Sequence, residues 1–296
     1  MSPAIGLIGA GRMGLPVCAR LIGAGYDVVA YDRDRTRESA VRGVGARWAE
    51  ATDRLVGAVD VLMTVLPGPA ELSEVMEIAV EAMRSQTTWI DLTSSSPLAS
   101  EHLWHRADLR GVETLDAPMG GGIVAAERGS LQLFVGGDRE TLQRHQPLLT
   151  ALGVVHHVGA RGAGYTTKLI VNSLWFSQAL AAAEAFLLAK RAGLDPVALR
   201  DAVQASPARS GFVDRDLDAL LEGDYLRSFG LHRCCEELDA VTELAGQLDT
   251  PSEVSSLTAR IYRRALDHYG PQDGELLPIA LLEQETGLLL RRGSDR

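Results

Sequence analysis

The stretch "TTKLIVNSLWFSQALAAAEAFLLA" (166–189) holds one lysine, Lys168, and no further charge until Glu184. On a helix, residues four apart share a face, so Lys168 and Asn172 project together, and Trp175 and Ala179 continue the stripe. An ammonium and an amide aimed at one point suit a reaction in which a carbonyl oxygen gains negative charge. The amide fixes that oxygen, and the ammonium stabilises and protonates it. The same spacing also suits a lysine in the first turns of a helix that simply snorkels to water. Spacing alone leaves both readings open.

A second chemistry-bearing run is "IGLIGAGRMGLPVCARLIGAGYDVVAYDRD" (5–34), in which an apolar strand turns through Gly9, Gly11 and Gly14 into a helix. Gly9 permits the tight turn, Gly11 lets a pyrophosphate approach the backbone, and Gly14 lets helix and strand pack closely. The N–H groups at the helix start, with Arg12 and Met13 beside them, then face the phosphates. Asp32, 18 residues after Gly14, suits the adenosine ribose diol of NAD. Arg33, Arg35 and Arg37 pull towards the 2′-phosphate of NADP, because guanidinium groups suit phosphate. NAD is the favoured cofactor, with NADP open.

The elements that must position these groups follow from the alternation of patterns. Strands are expected at 4–9, 27–32, 59–67, 87–92, 111–118, 131–137 and 154–159, with helices near 12–24, 34–42, 69–84, 97–107 and 138–151. This rhythm predicts an α/β fold: a doubly wound, mostly parallel Rossmann-type sheet covered by helices on both faces. From 164 onward only helical patterns remain. A connecting helix over 164–191, roughly 40 Å long at 1.5 Å per residue, ends at "AGLDP", and an all-helical region follows, with breaks at "ASPARSG", "LDTPSE" and "YGPQDGE". The expected domains are 1–163, binding dinucleotide, and 164–296, for substrate and oligomerisation.

Composition narrows the classes. The 296 residues carry a formal net charge of −10, which disfavours nucleic acid and anionic membrane as partners. Cys18, Cys234 and Cys235 form no disulfide or zinc pattern, and adjacent cysteines rarely bridge. A reducing, cytoplasmic setting is expected. The glycine-broken N-terminus reads as a buried strand. Ser173, Ser177, Gln178 and Glu184 make 169–189 a buried core helix rather than a membrane span. No metal site is expected: His156 and His157 alternate to opposite strand faces. His102 and His105 belong to a solvated helix face, Met119 is a packing residue, and Cys234 and Cys235 are small buried apolar residues.

"GLIGAGRMG", "TVLPGPAE", "DLTSSSP", "DAPMGGGIVAAERGSLQLFVGG" and "GAGYTTKLIVNS" stand in the order and spacing of the β-hydroxyacid dehydrogenases, and nearly the whole chain resembles that family. The family includes 3-hydroxyisobutyrate dehydrogenase and tartronate semialdehyde reductase, with 6-phosphogluconate dehydrogenase and imine reductases as relatives. The resemblance implies an NAD(P)-dependent oxidoreductase acting on CH–OH donors, with Lys168 as acid/base and Asn172 binding substrate. Leu66 and Pro67 look like the cofactor-contacting pair, and Ser94 sits where a threonine usually lies near the nicotinamide. Gly121 and Gly122 match the loop that holds the substrate's acid group. A homodimer or homotetramer joined through the helical domain is also implied.

Two positions depart from the pattern. Gly120 replaces a serine that usually helps to hold a carboxylate. Glu236, counted from Phe229, replaces a lysine near cofactor and substrate, and Glu237 replaces the next aspartate. Reversing one sign near an anionic ligand is costly, so a neutral, cationic or larger substrate is expected, unless Arg233, one turn earlier, supplies the charge; His232 also falls within reach of that corner. Two alternatives stand beside the dehydrogenase. An imine or iminium reductase would suit Glu236, although imine reductases typically lack a lysine at 168. A dinucleotide-binding scaffold or regulator without catalysis would suit the lost groups.

Overall fold

A computed structural model describes residues 3–226 and 228–291. The first half runs β1 (Ile5–Ile8), α1 (Gly14–Gly23), β2 (Val28–Tyr31), α2 (Glu38–Gly43), β3 (Arg47–Trp48), α3 (Thr52–Val56), β4 (Val61–Thr64), α4 (Pro69–Ala82) and β5 (Thr88–Asp91). It continues through α5 (Pro97–Leu109), β6 (Glu113–Asp116), β7 (Met119–Gly120), α6 (Gly122–Arg128), β8 (Leu131–Gly137), α7 (Arg139–Thr150) and β9 (Gly153–Gly159). Thereafter come α8 (Ala163–Arg191), α9 (Pro196–Gln204), α10 (Gly211–Arg215), α11 (Leu217–Leu221), α12 (Leu231–Gln247), α13 (Glu253–Tyr269) and α14 (Leu277–Thr286).

The strands join in the order β3-β2-β1-β4-β5-β6-β8-β7, with β9 on β8. The first six are parallel, and β8 enters antiparallel to β6 and β7. That is the doubly wound Rossmann-type arrangement, with the order reversing between β1 and β4, where dinucleotides bind. β1, β4 and β5 are buried along their whole length, as strands covered on both faces must be. Ile5, Leu7, Val61, Met63 and Ile90 fill one face with α1, while Ile8, Leu62 and Trp89 fill the other with α3, α4 and α5. The two-residue strands β3 and β7 and the short helices α3 and α6 are absent from the sequence expectation, because neither spans a full period of its pattern.

The chain divides into two compact units, Met1–Lys168 and Leu169–Arg296. The division thus falls inside α8 and not before it at 163/164. The cause is local: Gly162 and Tyr165, at the root of α8, are hydrogen-bonded to Asp116 and Asp91 at the ends of the strands.

The second unit gathers Phe176, Ala179, Leu180, Ala183 and Phe186 of α8 with Phe212, Leu217, Leu231, Cys234, Leu238 and Tyr262. By length and composition alone α8 is able to cross a membrane. Its buried positions nevertheless occupy one side only. On the other side Val171, Leu174, Ala181, Ala185 and Leu188 are exposed. The break after α8 comes at Gly193, in the left-handed region at φ 80°, and α9 restarts at Pro196 behind Asp195, whose carboxylate accepts from the Ala198 N–H at 2.9 Å.

Candidate active site

The glycine loop follows β1 with a distinct steric reason at each glycine. Gly9 has φ 98°, and a Cβ there would lie 2.2 Å from the Val65 carbonyl oxygen. A Cβ on Gly14 would lie 1.8 Å from the Gly9 carbonyl oxygen, so helix and loop close-pack only without side chains. A Cβ on Gly11 would meet open space. That is the position where a pyrophosphate needs room. Helix α1 begins behind Met13 with no side-chain cap and no acidic residue in its first turn, leaving the positive helix end to an anion.

Asp32 follows β2 and binds the loop itself. Its Oδ2 accepts from the Ala10 N–H at 2.7 Å, and its Oδ1 accepts from the Asp34 N–H at 2.9 Å. A carboxylate offers about four lone-pair sites, so two N–H donors leave capacity for a ribose diol. The three arginines behind it are exposed, and each meets an acid: Arg33 with Glu74 at 3.7 Å, Arg35 with Glu50 at 3.0 Å, and Arg37 with Asp34 at 3.5 Å. These residues fit a dinucleotide.

Leu66, half-buried after β4, touches the loop: its Cδ2 would lie 3.2 Å from a Cβ on Gly9. Pro67 beside it is exposed. The Leu66 N–H donates to the Thr93 hydroxyl at 3.1 Å, one residue before the half-buried Ser94. Gly120, in β7, sits against Gln132 and Phe134, where a Cβ would make ordinary contacts at 3.5 Å. Gly121 and Gly122 take φ values of 111° and 69° and lead into α6.

The last residues of the central strands form a row, with Thr64 beside Asp91 and Asp91 beside Asp116. All three are buried. Asp91 Oδ1 accepts from the Thr64 hydroxyl at 2.6 Å and the Thr93 N–H at 3.0 Å, and its Oδ2 accepts from the Tyr165 hydroxyl. Asp116 accepts from the Gly162 N–H at 2.8 Å and the Tyr165 N–H at 2.9 Å, capping the root of α8. Burial raises the Asp91 carboxyl above its ordinary range and pushes Asp116 up to about 6. Gly164 makes this approach possible, because a Cβ there would lie 2.3 Å from the Phe134 carbonyl oxygen. Three residues beyond Tyr165 comes Lys168, half-buried.

Asn172 lies one turn further along α8, in the second unit, and donates from Nδ2 to Oε2 of the buried Glu237 at 2.6 Å. Arg233 and Glu236 meet at 2.8 Å on α12, with Glu236 about half exposed. The remaining candidates are bland. His156 pairs with Gln132 at 2.8 Å and His157 with the Gly137 carbonyl at 3.1 Å. Cys234 and Cys235 are buried, and burial pushes the Cys235 thiol up to about 11.

Sequence reasoning missed Asp91, Asp116 and Tyr165 as a group, since only the parallel register brings their segments together. It also missed a signal in plain view. Of 29 basic residues only two are lysines, Lys168 and Lys190. Arginine can fill most structural or solvating roles of a cation, but cannot surrender its proton in a protein. Lys190 caps a peptide group, donating to the Leu289 carbonyl at 2.7 Å.

Residues 4–159 match the family described as the NAD binding domain of 6-phosphogluconate dehydrogenase. Residues 162–282 match the NAD-binding region of NADP-dependent 3-hydroxyisobutyrate dehydrogenase. The chain is 28% identical to 2-(hydroxymethyl)glutarate dehydrogenase of Eubacterium barkeri over 98% of both chains. It superposes on the Mycobacterium tuberculosis 3-hydroxyisobutyrate dehydrogenase solved with L-serine, with a TM-score of 0.88 and 26% identity, over 95% of this chain and 99% of that one. An imine reductase from Pseudomonas sp. shares the fold, at a TM-score of 0.61 and 18% identity over 95% and 99% of the two chains.

Proposed function

The chain belongs to the β-hydroxyacid dehydrogenase family and is an NAD(P)-binding dehydrogenase; from that premise we propose that Lys168 is its catalytic acid/base and Asn172 its substrate-positioning residue. The observation that carries this reading is Lys168 itself, half-buried at the root of α8 in a chain that otherwise uses arginine for nearly every cation.

When bound, the nicotinamide supplies or takes up a hydride at the substrate carbon. The protein's part is the proton. In reduction the Lys168 ammonium gives its proton to the carbonyl oxygen as negative charge grows there; in oxidation the neutral amine removes the hydroxyl proton. Asn172, anchored on Glu237, fixes that oxygen, and the Gly120–Gly122 backbone holds the rest of the substrate. The glycine loop with Arg12 and Met13, together with Asp32, Leu66, Pro67 and Ser94, would hold the cofactor. NAD is favoured, because Asp32 suits the ribose diol and Arg33, Arg35 and Arg37 already have acidic partners.

The substrate we propose is a β-hydroxyacid-like compound, larger or less dependent on its carboxylate than the small hydroxy acids. Gly120 brings no hydroxyl, and Glu236 is neutralised by Arg233 without leaving a spare cation from that pair. We place the protein in a reducing cytoplasm, where Cys18, Cys234 and Cys235 remain free thiols. Self-association is proposed through α8. Val171, Leu174, Gln178, Ala181, Ala185 and Leu188 recur at the alternating three- and four-residue spacing of a helix–helix seam, and Leu174 and Leu188 are 56% and 72% exposed.

The test is turnover of NADH and NADPH with a panel of semialdehydes, 3-oxo acids and cyclic imines, beside Lys168→Ala. Carbonyl reduction lost by about a hundredfold or more in the variant is expected. A variant retaining its rate removes the acid/base role, and reduction of imines alone moves the protein to the imine reductase reading. Strong turnover of 3-hydroxyisobutyrate or tartronate semialdehyde ends the altered-substrate proposal.

A further inference from the structure

We propose that Asp91 and Tyr165 are positioning residues that fix Lys168 against the dinucleotide loop, through a buried relay running from Leu66 to the root of α8. The inference rests on Lys168 as the acid/base. Its links are direct hydrogen bonds: the Leu66 N–H donates to Thr93 Oγ1 at 3.1 Å, and the Thr93 N–H donates to Asp91 Oδ1 at 3.0 Å. The Tyr165 hydroxyl completes the chain on Asp91 Oδ2. One end is the segment proposed to contact the cofactor. The other stands one turn before the lysine.

Every internal member is buried. Asp91, Thr93 and Tyr165 are at most 1% exposed. Tyr165 is also fixed independently of the relay: its ring stacks on Trp104 at 5.7 Å between centroids, and its N–H is held by Asp116. Trp104 in turn lies 5.4 Å beneath the Arg161 guanidinium. The first turn of α8 is therefore anchored by the side chain three residues before Lys168. A helix needs only a cap to begin, and Asp116 provides it. The second carboxylate, buried at the cost of desolvation, is surplus to capping and is explained by the precision that proton transfer demands, since a misplacement of about 1 Å costs up to a hundredfold in rate.

The whole 296-residue chain gives the test, because its two lysines can be read separately by ¹³C reductive methylation and NMR. In wild type, NADH shifts the Lys168 signal and leaves Lys190 unmoved. In Tyr165→Phe the expected result is loss of that response, with kcat down about tenfold or more and KM for NADH within about threefold. Asp91→Asn, which keeps the shape but turns one acceptor oxygen into a donor, reads the same quantities should the tyrosine variant not fold. A folded variant of either kind that keeps the Lys168 response and kcat within about twofold of wild type overturns the proposal. Lys168→Ala, run alongside, reports on the acid/base reading itself: full activity there removes that reading, whereas its loss beside an unaffected Tyr165→Phe removes only the positioning role.

Discussion

Arg233 binds Glu236 at 2.8 Å, one helical turn apart on α12, with the arginine 17% and the glutamate 49% exposed. The glutamate at 236 therefore does not stand as a bare negative charge. What remains missing for a small carboxylate is a dedicated donor.

Gly120→Ser supplies that donor at little structural cost. A Cβ at 120 meets Gln132 and Phe134 at 3.5 Å, ordinary contact, and the backbone does not need glycine there. A hydrogen bond to a charged group contributes about 1.5–3 kcal/mol, so KM for small β-hydroxy acids is expected to fall about tenfold at unchanged thermal stability. Steady-state kinetics on 3-hydroxyisobutyrate checks it; an unchanged KM places the carboxylate elsewhere.

Gly11 and Gly14 separate binding from folding. Gly11→Ala points into open space, so stability should stay within about 0.5 kcal/mol while NADH affinity drops about tenfold or more. Gly14→Ala drives a Cβ to 1.8 Å from the Gly9 carbonyl oxygen and should cost more than about 2 kcal/mol. Urea unfolding and NADH fluorescence titration read the two effects.

Asp116 gives stability an inverted pH dependence. Its folded value, about 6, is raised by burial above the unfolded 3.8, so the folded chain binds this proton more tightly. The contribution is full only well below pH 3.8 and is lost as pH rises through 6. Relative to Asp116→Asn, wild type should therefore gain about 2 kcal/mol between pH 7 and pH 4. Asp108, held low chiefly by its hydrogen bond from Arg161, runs the other way. A wild-type advantage that grows with rising pH would refute the assignment.

Leu174 tests the exposed seam of α8. Leu174→Glu should shift the protein towards monomer in sedimentation velocity at micromolar concentration, because a charge in a helix–helix seam is buried without a partner. An unaltered sedimentation coefficient would move the interface to another surface.

Strands β1, β2, β4, β5, β6, β8 and β9 and helix α8 are legible in the sequence, because hydrophobic period and glycine or proline stops are local properties of the chain. The glycine loop is legible for the same reason: Gly9, Gly11 and Gly14 act within six residues of one another. The expected partner of the ribose, Asp32, was visible as a residue type at a spacing, but not its two backbone hydrogen bonds to Ala10 and Asp34. Tertiary structure alone decided the rest. Asp91 and Tyr165 are 74 residues apart, and only the parallel register of β5 and β6 sets the Asp91 and Asp116 carboxylates side by side where Tyr165 bonds to both. Whether Glu236 stood as a bare charge likewise depended on which rotamer reached Arg233. Periodicity tells a side chain which way to face. Which distant group it meets there is settled by strand order and packing, which no local pattern contains.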